Sequence, residues 1–326
     1  MPLGPEDRLT RRLRRRVASR GNDLVGDDAA FLPGGSMAVT VDQQIQGVHF
    51  PEGLTPVTIG RRLVRVNVSD VSAIGGQPSF GFLALAAPPE YPVEELLFSV
   101  EDALASHGAR LAGGDLAVSD RLTAGLTLLA RRQPRGRWLM RSTAAAGDRL
   151  WLGGTVGTSA LGCVLLQRGA TFDGRRVSLP PTLGTRSAAA ARRAVVRHLR
   201  PPDQLELGAW LSRRRRVAAI DVSDGLLLDL DRLCRASGVG ALVEAARLPL
   251  DTGFSACASR IGIDPLDLAL TGGEDYVLLF TLPSKIRPPK KFNAIPIGEI
   301  RSTPGLDLRG APIPHRLGWD HFGHRG

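Results

Sequence analysis

At the ends of its apolar runs this chain repeatedly sets an acid among glycines and hydroxyls: VGDDAA (25–30), TVDQQ (40–44), NVSDVSAIGG (67–76), AGGDLAVSD (112–120), IDVSDG (220–225) and TGGEDY (271–276). Taken singly, each is most simply a helix N-cap or a turn, because Asp and Ser satisfy the free backbone N–H groups found there. Their repetition constrains more. Carboxylates that follow strands converge wherever strand ends converge, and converging carboxylates need a counter-charge. An oxygen-only donor set, without Cys or His, selects hard cations, Mg2+ first. Mg2+ held by a few carboxylates commonly shares its remaining positions with water and phosphate, so the pattern already points to nucleotide chemistry.

The runs between these motifs predict an α/β fold. MAVTVDQQI (37–45), FGFLALAA (80–87), LTAGLTLLARR (122–132), GDRLWLGG (147–154), VAAIDV (217–222) and YVLLFTL (276–282) read as strands. Helices are expected at 55–74, at 93–108 with a stop on Gly108, at 158–169, and over LLLDLDRLCRASG (226–238). A length of 326 residues suits about two domains. The pattern breaks near 134–146, which divides the chain into 1–138 and 139–326. Residues 170–187 read as a Gly/Pro/Arg-rich loop, and the tail from about 302 is expected to dock through its terminal GWDHF.

The formal net charge of +10 raises the question of a nucleic-acid partner. Aromatic residues make up only 5%, too few for a stacking platform. RRLRRRVASR (11–20) fits a helix with Leu9, Leu13 and Val17 on one face and the arginines solvated, so no nucleic-acid partner is expected. The three cysteines, Cys163, Cys234 and Cys257, form no CxxC pattern and suggest no disulfide framework, as expected of a cytoplasmic protein. Apolar stretches are too short and broken to span a bilayer, and the N-terminus lacks the apolar stretch of a signal peptide. A P-loop, kinase HRD and DFG motifs, a GxSxG elbow and HExxH are all missing from the sequence. GGTVGTSALG (153–162) comes closest to a phosphate-binding turn, although a tight strand-to-helix connection explains it more simply.

In order along the chain, GDDAAFLPGG, VTVDQQIQGVHF, NVSDVSAIGGQPSFGFLALAAP, GGDLAVSD, GDRLWLGGTVGTSALG, HLRPPDQL, IDVSDGLLLDL, TGGEDYVLLF and GWDHF resemble the thiamine-monophosphate kinase family. That family belongs to the aminoimidazole ribonucleotide synthetase-like superfamily, and the resemblance runs from about residue 20 to 322. It implies ATP and thiamine monophosphate as substrates, several Mg2+ ions, and a homodimer formed through the sheet of an N-terminal ATP- and Mg2+-binding domain (1–138). A C-terminal α/β domain (139–326) would close the cleft. By position, Asp28, Thr40, Asp42, Asp70, Asp115, Asp221 and Asp224 resemble the metal ligands. Gly114, Arg141 and Ser223 resemble ATP contacts, and His49, Glu274 and Trp319 resemble substrate contacts.

Each position has a plainer explanation. Asp28 and Asp70 could cap following helices, His49 could be a core histidine, and Trp319 could be a packing anchor for the tail. The sequence also departs from the family, which usually reads STD followed by Thr, and GGDTT. Here Val41, Gln43 and Leu116 replace hydroxyl residues. The acceptor of the implied transfer is a phosphate oxygen, already anionic near neutral pH, so no catalytic general base is expected and alignment with charge neutralisation carries the reaction. A superfamily synthetase acting on another acceptor, and a binding protein without turnover, are the alternatives. Within IDVSDGLLLDLDRL, Asp221 and Asp224 are assigned to the site. Asp229 and Asp231 are expected to face solvent or pair with Arg232 or Arg235.

Overall fold

The computed structural model describes residues 4–20 and 24–323; the outer limits of the two expected domains, residues 1 and 326, lie outside the described residues. Helix α1 (Pro5–Ala18) precedes a five-stranded sheet made of β1 (Ala30–Phe31), β2 (Met37–Ile45), β3 (Gly76–Ala87), β4 (Arg110–Val118) and β5 (Thr123–Arg132). Its order is β1-β2-β5-β3-β4, and only β3 and β4 run parallel. Helix α2 (Pro56–Ala73) and α3 (Val93–Ser106) cover one face. Thr55 starts α2 by accepting the Thr58 N–H on its hydroxyl, with Pro56 in the first turn where a missing N–H costs nothing.

The second half carries a six-stranded sheet: β6 (Asp148–Leu152), β9 (Ala219–Asp221), β10 (Gly240–Glu244), β11 (Leu278–Pro283), β12 (Ile295–Arg301) and β13 (Gly305–Arg309), in the order β13-β10-β12-β6-β11-β9. Helices α4 (Thr158–Gln167), α5 (Gly184–Leu199), α6 (Leu205–Ser212), α7 (Leu226–Ser237), α8 (Phe254–Arg260) and α9 (Pro265–Thr271) surround it. The fold is therefore mixed α/β with two sheet-containing domains. One hydrophobic core joins them, because α2 packs against its own sheet on one side and against α6 and β9 on the other. That double packing explains why α2 is buried nearly all round.

Two stretches differ from the sequence reading. Residues 170–187 are not a structureless loop: they form the small hairpin β7 (Thr171–Phe172) and β8 (Val177–Ser178) and the start of α5. AGGDLAVSD, read as an acidic turn motif, contributes most of strand β4. Its Gly114 is needed there, since a Cβ would meet the Leu83 carbonyl oxygen at 1.9 Å.

Helix α1 stands largely in solvent, with Leu9 and Leu13 about half exposed. It is secured at its N-terminal end. The Asp320 carboxylate, from the tail, accepts the Glu6 N–H at 3.3 Å, and the Glu6 carboxylate in turn accepts the His321 N–H at 3.1 Å. The tail thus docks as expected, and it does so by supplying a cap that α1 lacks locally.

Candidate active site

The loop before β1, strand β2, helix α2 and the end of β9 deliver their acids to the junction of the two halves. Carboxylate oxygens of Asp28, Asp70 and Asp221 lie within 4.8 Å of one another. Each is oriented by a different neighbour. Arg141 donates to both oxygens of Asp28, at 2.8 and 3.2 Å; the Thr40 hydroxyl donates to Asp70; the Ser69 hydroxyl donates to Asp221 at 2.6 Å. Neither Asp28 nor Asp70 caps a following helix: Asp28 lies in a loop that leads into β1, and Asp70 lies inside α2, close to its C-terminal end.

Burial and crowding make this cluster electrostatically costly. Asp70 and Asp221 are pushed well above the usual carboxylate range, first by burial and then by neighbouring carboxylates: Asp42, Asp221 and Asp28 act on Asp70, and Asp28 acts on Asp221. Burial, followed by Glu274 and Asp224, raises Asp42 to about 6. Asp27, next to Asp28, is raised to about 7. The ligands on offer are hard oxygens, convergent and short of positive charge, which is what a divalent cation such as Mg2+ requires.

Two of the expected nucleotide positions, Arg141 and Ser223, flank this cluster. The Ser223 and Asp224 loop follows β9, and its shape is set by Asp229. Asp229 pairs with Arg232, as one of the two expectations had it, but it does not face solvent: it is fully buried, and its Oδ2 accepts the N–H groups of Ser223, Asp224 and Gly225 at 3.0, 3.0 and 3.2 Å. Arg232 bonds Asp229 and Asp224 together and reaches Asp7 of α1. Asp231 does pair with Arg235. Gly225 has φ +130° and a Cβ there would press on the Thr271 carbonyl, so this turn requires glycine. Arg141, Asp27, Asp224, Arg232 and, from α1, Arg11 and Arg14 line a cleft of about 1060 Å3.

The expected substrate positions lie on the other side of Asp42. Glu274 has a left-handed backbone (φ 61°) and its N–H donates to the Ser223 carbonyl at 2.6 Å. Its carboxylate is gripped by Arg62; burial pushes Glu274 up, and the neighbouring groups that oppose it, Arg62 foremost, together hold it below the usual glutamate value. His49 is half-buried and accepts the Ile45 N–H on Nδ1 at 3.1 Å; burial lowers its pKa, leaving it neutral. Its ring lies 5.5 Å from that of His321, which meets the half-exposed Trp319 edge-on at 6.1 Å. The Trp319 N–H also donates to the Asp224 carbonyl at 2.7 Å, so the tail bridges both sides of the site.

Gly114 and Asp115 are not brought to this cluster. Asp42, Leu126, Leu83 and Gly114 form one register row across the sheet, with Asp115 in the next row opposite Ala84. Side chains alternate faces, so Asp115 points to the face opposite Asp42, about 14 Å away across three strand spacings. The same alternation turns Val41 outwards, where it is 65% exposed; Leu116, on edge strand β4, is 59% exposed. The departures from the family pattern therefore leave the Asp28–Asp70–Asp221 cluster untouched. The glycine turn before α4 is a connection and not an open phosphate site, because Asp275 accepts the N–H groups of Gly157 and Ser159 at 2.7 and 3.2 Å.

Residues that sequence reasoning missed are Asp27, Arg62, Asp229 and Arg232. A signal existed for Asp229: with Leu226, Leu230 and Leu233 it completes an i, i+3, i+4, i+7 stripe on the buried face of α7.

Known proteins resemble this chain over most of its length. Residues 26–131 match the family model for the N-terminal domain of AIR synthase related protein. Thiamine-monophosphate kinase of Synechococcus elongatus is 35% identical over 320 residues, covering 91% of this chain and 91% of that protein. The enzyme of Escherichia coli K12 is 35% identical over 268 residues, 79% of this chain and 76% of its own. A solved structure of AaThiL complexed with AMPPCP and TMP superposes with a TM-score of 0.84 at 28% identity, covering 99% of both chains.

Proposed function

This chain belongs to the thiamine-monophosphate kinase family and is a phosphotransferase, and from that premise we propose that it transfers the γ-phosphoryl group of ATP directly onto the phosphate of thiamine monophosphate. The convergence of Asp28, Asp70 and Asp221 at the junction of the two sheets carries this reading. An acceptor phosphate oxygen attacks the γ-phosphorus in line, the bond to the bridging oxygen breaks, and ADP leaves with the electron pair. No proton need be removed, because the attacking phosphate oxygen is already anionic. The difficulty is to bring two anions together.

In this reading Asp28, Thr40, Asp42, Asp70, Asp221 and Asp224 hold several Mg2+ ions. When bound, those ions neutralise the phosphate charge. Ser223, Arg141 and the cleft beside α1 receive ATP; His49, Glu274 and Trp319 receive the acceptor. Arg141 also fixes Asp28, so it serves the metal site and the nucleotide together. The N-terminal half would serve nucleotide, metal and dimer, and the C-terminal half would close the cleft. ADP production in the presence of Mg2+ tests the whole: it should require thiamine monophosphate and cease on chelation. Equal ADP production with thiamine monophosphate omitted would point to another acceptor, and none under any condition to a binding protein.

Asp115 and Gly114 enter the site only from a second copy. Strand β4 has a free edge, β2 is unpaired on one side beyond Val39, and the sheet's open face exposes Val41, Phe80 and Phe82. A copy laid edge to edge, β4 on β2, would cover those residues and set its Gly114 and Asp115 beside Thr40 and Asp42. Complementation tests this. D42N and D115N homodimers should each be nearly inactive, while co-expression of the two should restore about a quarter of wild-type activity by random assortment. No recovery in isolated mixed dimers would refute the shared site.

A further inference from the structure

Among the described residues Arg62 is the largest fully buried side chain, 1% exposed, in a chain whose other arginines mostly face water. A guanidinium enters a core only when its donors are matched. Here they are matched by three different elements. Nε donates to the Gln44 amide oxygen on β2 at 3.1 Å, one terminal nitrogen donates to the His198 carbonyl at the end of α5, and the other donates to the Glu274 carboxylate. Its guanidinium carbon also lies 5.8 Å from the centre of the Tyr276 ring. Glu274 is the carboxylate that this charge pairs with.

The partner is held as firmly. The turn from Gly273 to Tyr276 takes left-handed backbone at Gly273, Glu274 and Tyr276, with φ of 68°, 61° and 51°. Glu274 and Tyr276 have side chains that disfavour this region, so the surroundings must impose it. The N–H groups of Glu274 and Tyr276 are tied to the carbonyls of Ser223 and Val222, and Asp275 is spent on α4. Within the carboxylate, Oε2 belongs to Arg62, while Oε1 meets the Tyr276 hydroxyl at 3.3 Å and keeps accepting capacity. The Glu274 side chain is 24% exposed, whereas Arg62 is sealed beneath it.

We propose that Arg62 is a positioning residue of the acceptor site: it anchors Oε2 of Glu274 so that Oε1 faces the heterocycles of the acceptor, a cationic thiazolium and an amino-bearing pyrimidine. Arg62 touches no substrate itself. It acts through Glu274, and the proposal rests on Glu274 being an acceptor contact. Because the same guanidinium grips β2 and α5, it also registers the two halves of the chain at this point.

Steady-state kinetics of R62M, R62K, E274Q and the R62M/E274Q double variant test this. R62M should raise KM for thiamine monophosphate at least about tenfold and leave KM for ATP within about twofold, because the Glu274 carboxylate loses the partner that fixes it. R62K, which keeps the charge and loses the fork, should lie between R62M and wild type. The double variant removes both charges and should be no worse than E274Q alone. A general structural role would instead move both KM values together, or make the two substitutions additive; either result overturns the proposal. If R62M does not fold, R62K and the double variant decide by the same comparison. Wild-type behaviour of E274Q would remove the acceptor role of Glu274 and this proposal with it. An impaired E274Q beside an unaffected R62M would remove only the role of Arg62.

Discussion

Asp70→Asn should abolish turnover while leaving the metal-free protein at least as stable as wild type. Asp70 sits inside α2 between Asp28 and Asp221, with the Thr40 hydroxyl on one oxygen. An amide at this position keeps the size and a hydrogen-bonding oxygen and removes the charge. Without that charge the site loses cation affinity, and kcat/KM for phosphoryl transfer should fall at least about a hundredfold. In the metal-free protein the same carboxylate is a burden, because burial and then Asp42, Asp221 and Asp28 oppose its ionisation.

The sign of the pH dependence follows. A carboxyl whose pKa rises on folding contributes stability that is complete below its unfolded value, 3.8, and is lost as pH climbs through the folded value. For Asp42 and Asp27 those folded values are about 6 and about 7. Metal-free wild type should therefore lose a contribution to its melting temperature between pH 4 and pH 7, and Mg2+ should stabilise it more at pH 7.5 than at pH 5. D70N should show a smaller Mg2+ effect at pH 7.5. An active D70N, or a Mg2+ shift independent of pH, would rule out the cluster as the cation site.

Asp229→Ala should be the most destabilising single substitution in the IDVSDGLLLDLDRL stretch. It strips one acceptor from three backbone N–H groups and leaves Arg232 facing Asp224 and Asp7 without its buried partner. Breaking a buried pair from one side costs about 3–5 kcal/mol. Asp229→Asn, which still offers one oxygen to the N–H groups, should lose about 1–2 kcal/mol. Denaturant unfolding of the metal-free protein measures both, and an alanine variant within about 1 kcal/mol of wild type would contradict the assignment. Activity should fall in parallel, since the loop that carries Ser223 and Asp224 loses the group that shapes it.

These two aspartates also mark what the sequence could and could not convey. Asp28, Asp70 and Asp221 were legible because acids beside glycine and serine recur along the chain, although of the three only Asp221 ends a strand. The helices around them were legible from periodicity: 55–74 was expected and Pro56–Ala73 is found. For Asp229 the pairing with Arg232 was legible but the burial was not: a charge among leucines reads as the wet side of an amphipathic helix, although its spacing from Leu226 and Leu233 puts it on the dry side. Arg62 had no such signal, since in an arginine-rich chain one more arginine on a helix carries no information until its depth is known. Strand β4 was hidden by Gly113 and Gly114, which weaken any strand reading. Burial is the term a linear pattern does not encode.

The cap on α1 has a consequence for how the molecule is made. Helix α1 is synthesised 314 residues before the carboxylate that receives its Glu6 N–H, that of Asp320. A helix that stands mostly in water, with no capping side chain of its own, can gain its Asp7–Arg232 pair earlier but its N-terminal cap only once that tail has left the exit tunnel. The wall of the cleft that α1 forms is thus completed only after residue 320 has been made. A chain that stops short of Asp320 presents that wall uncapped.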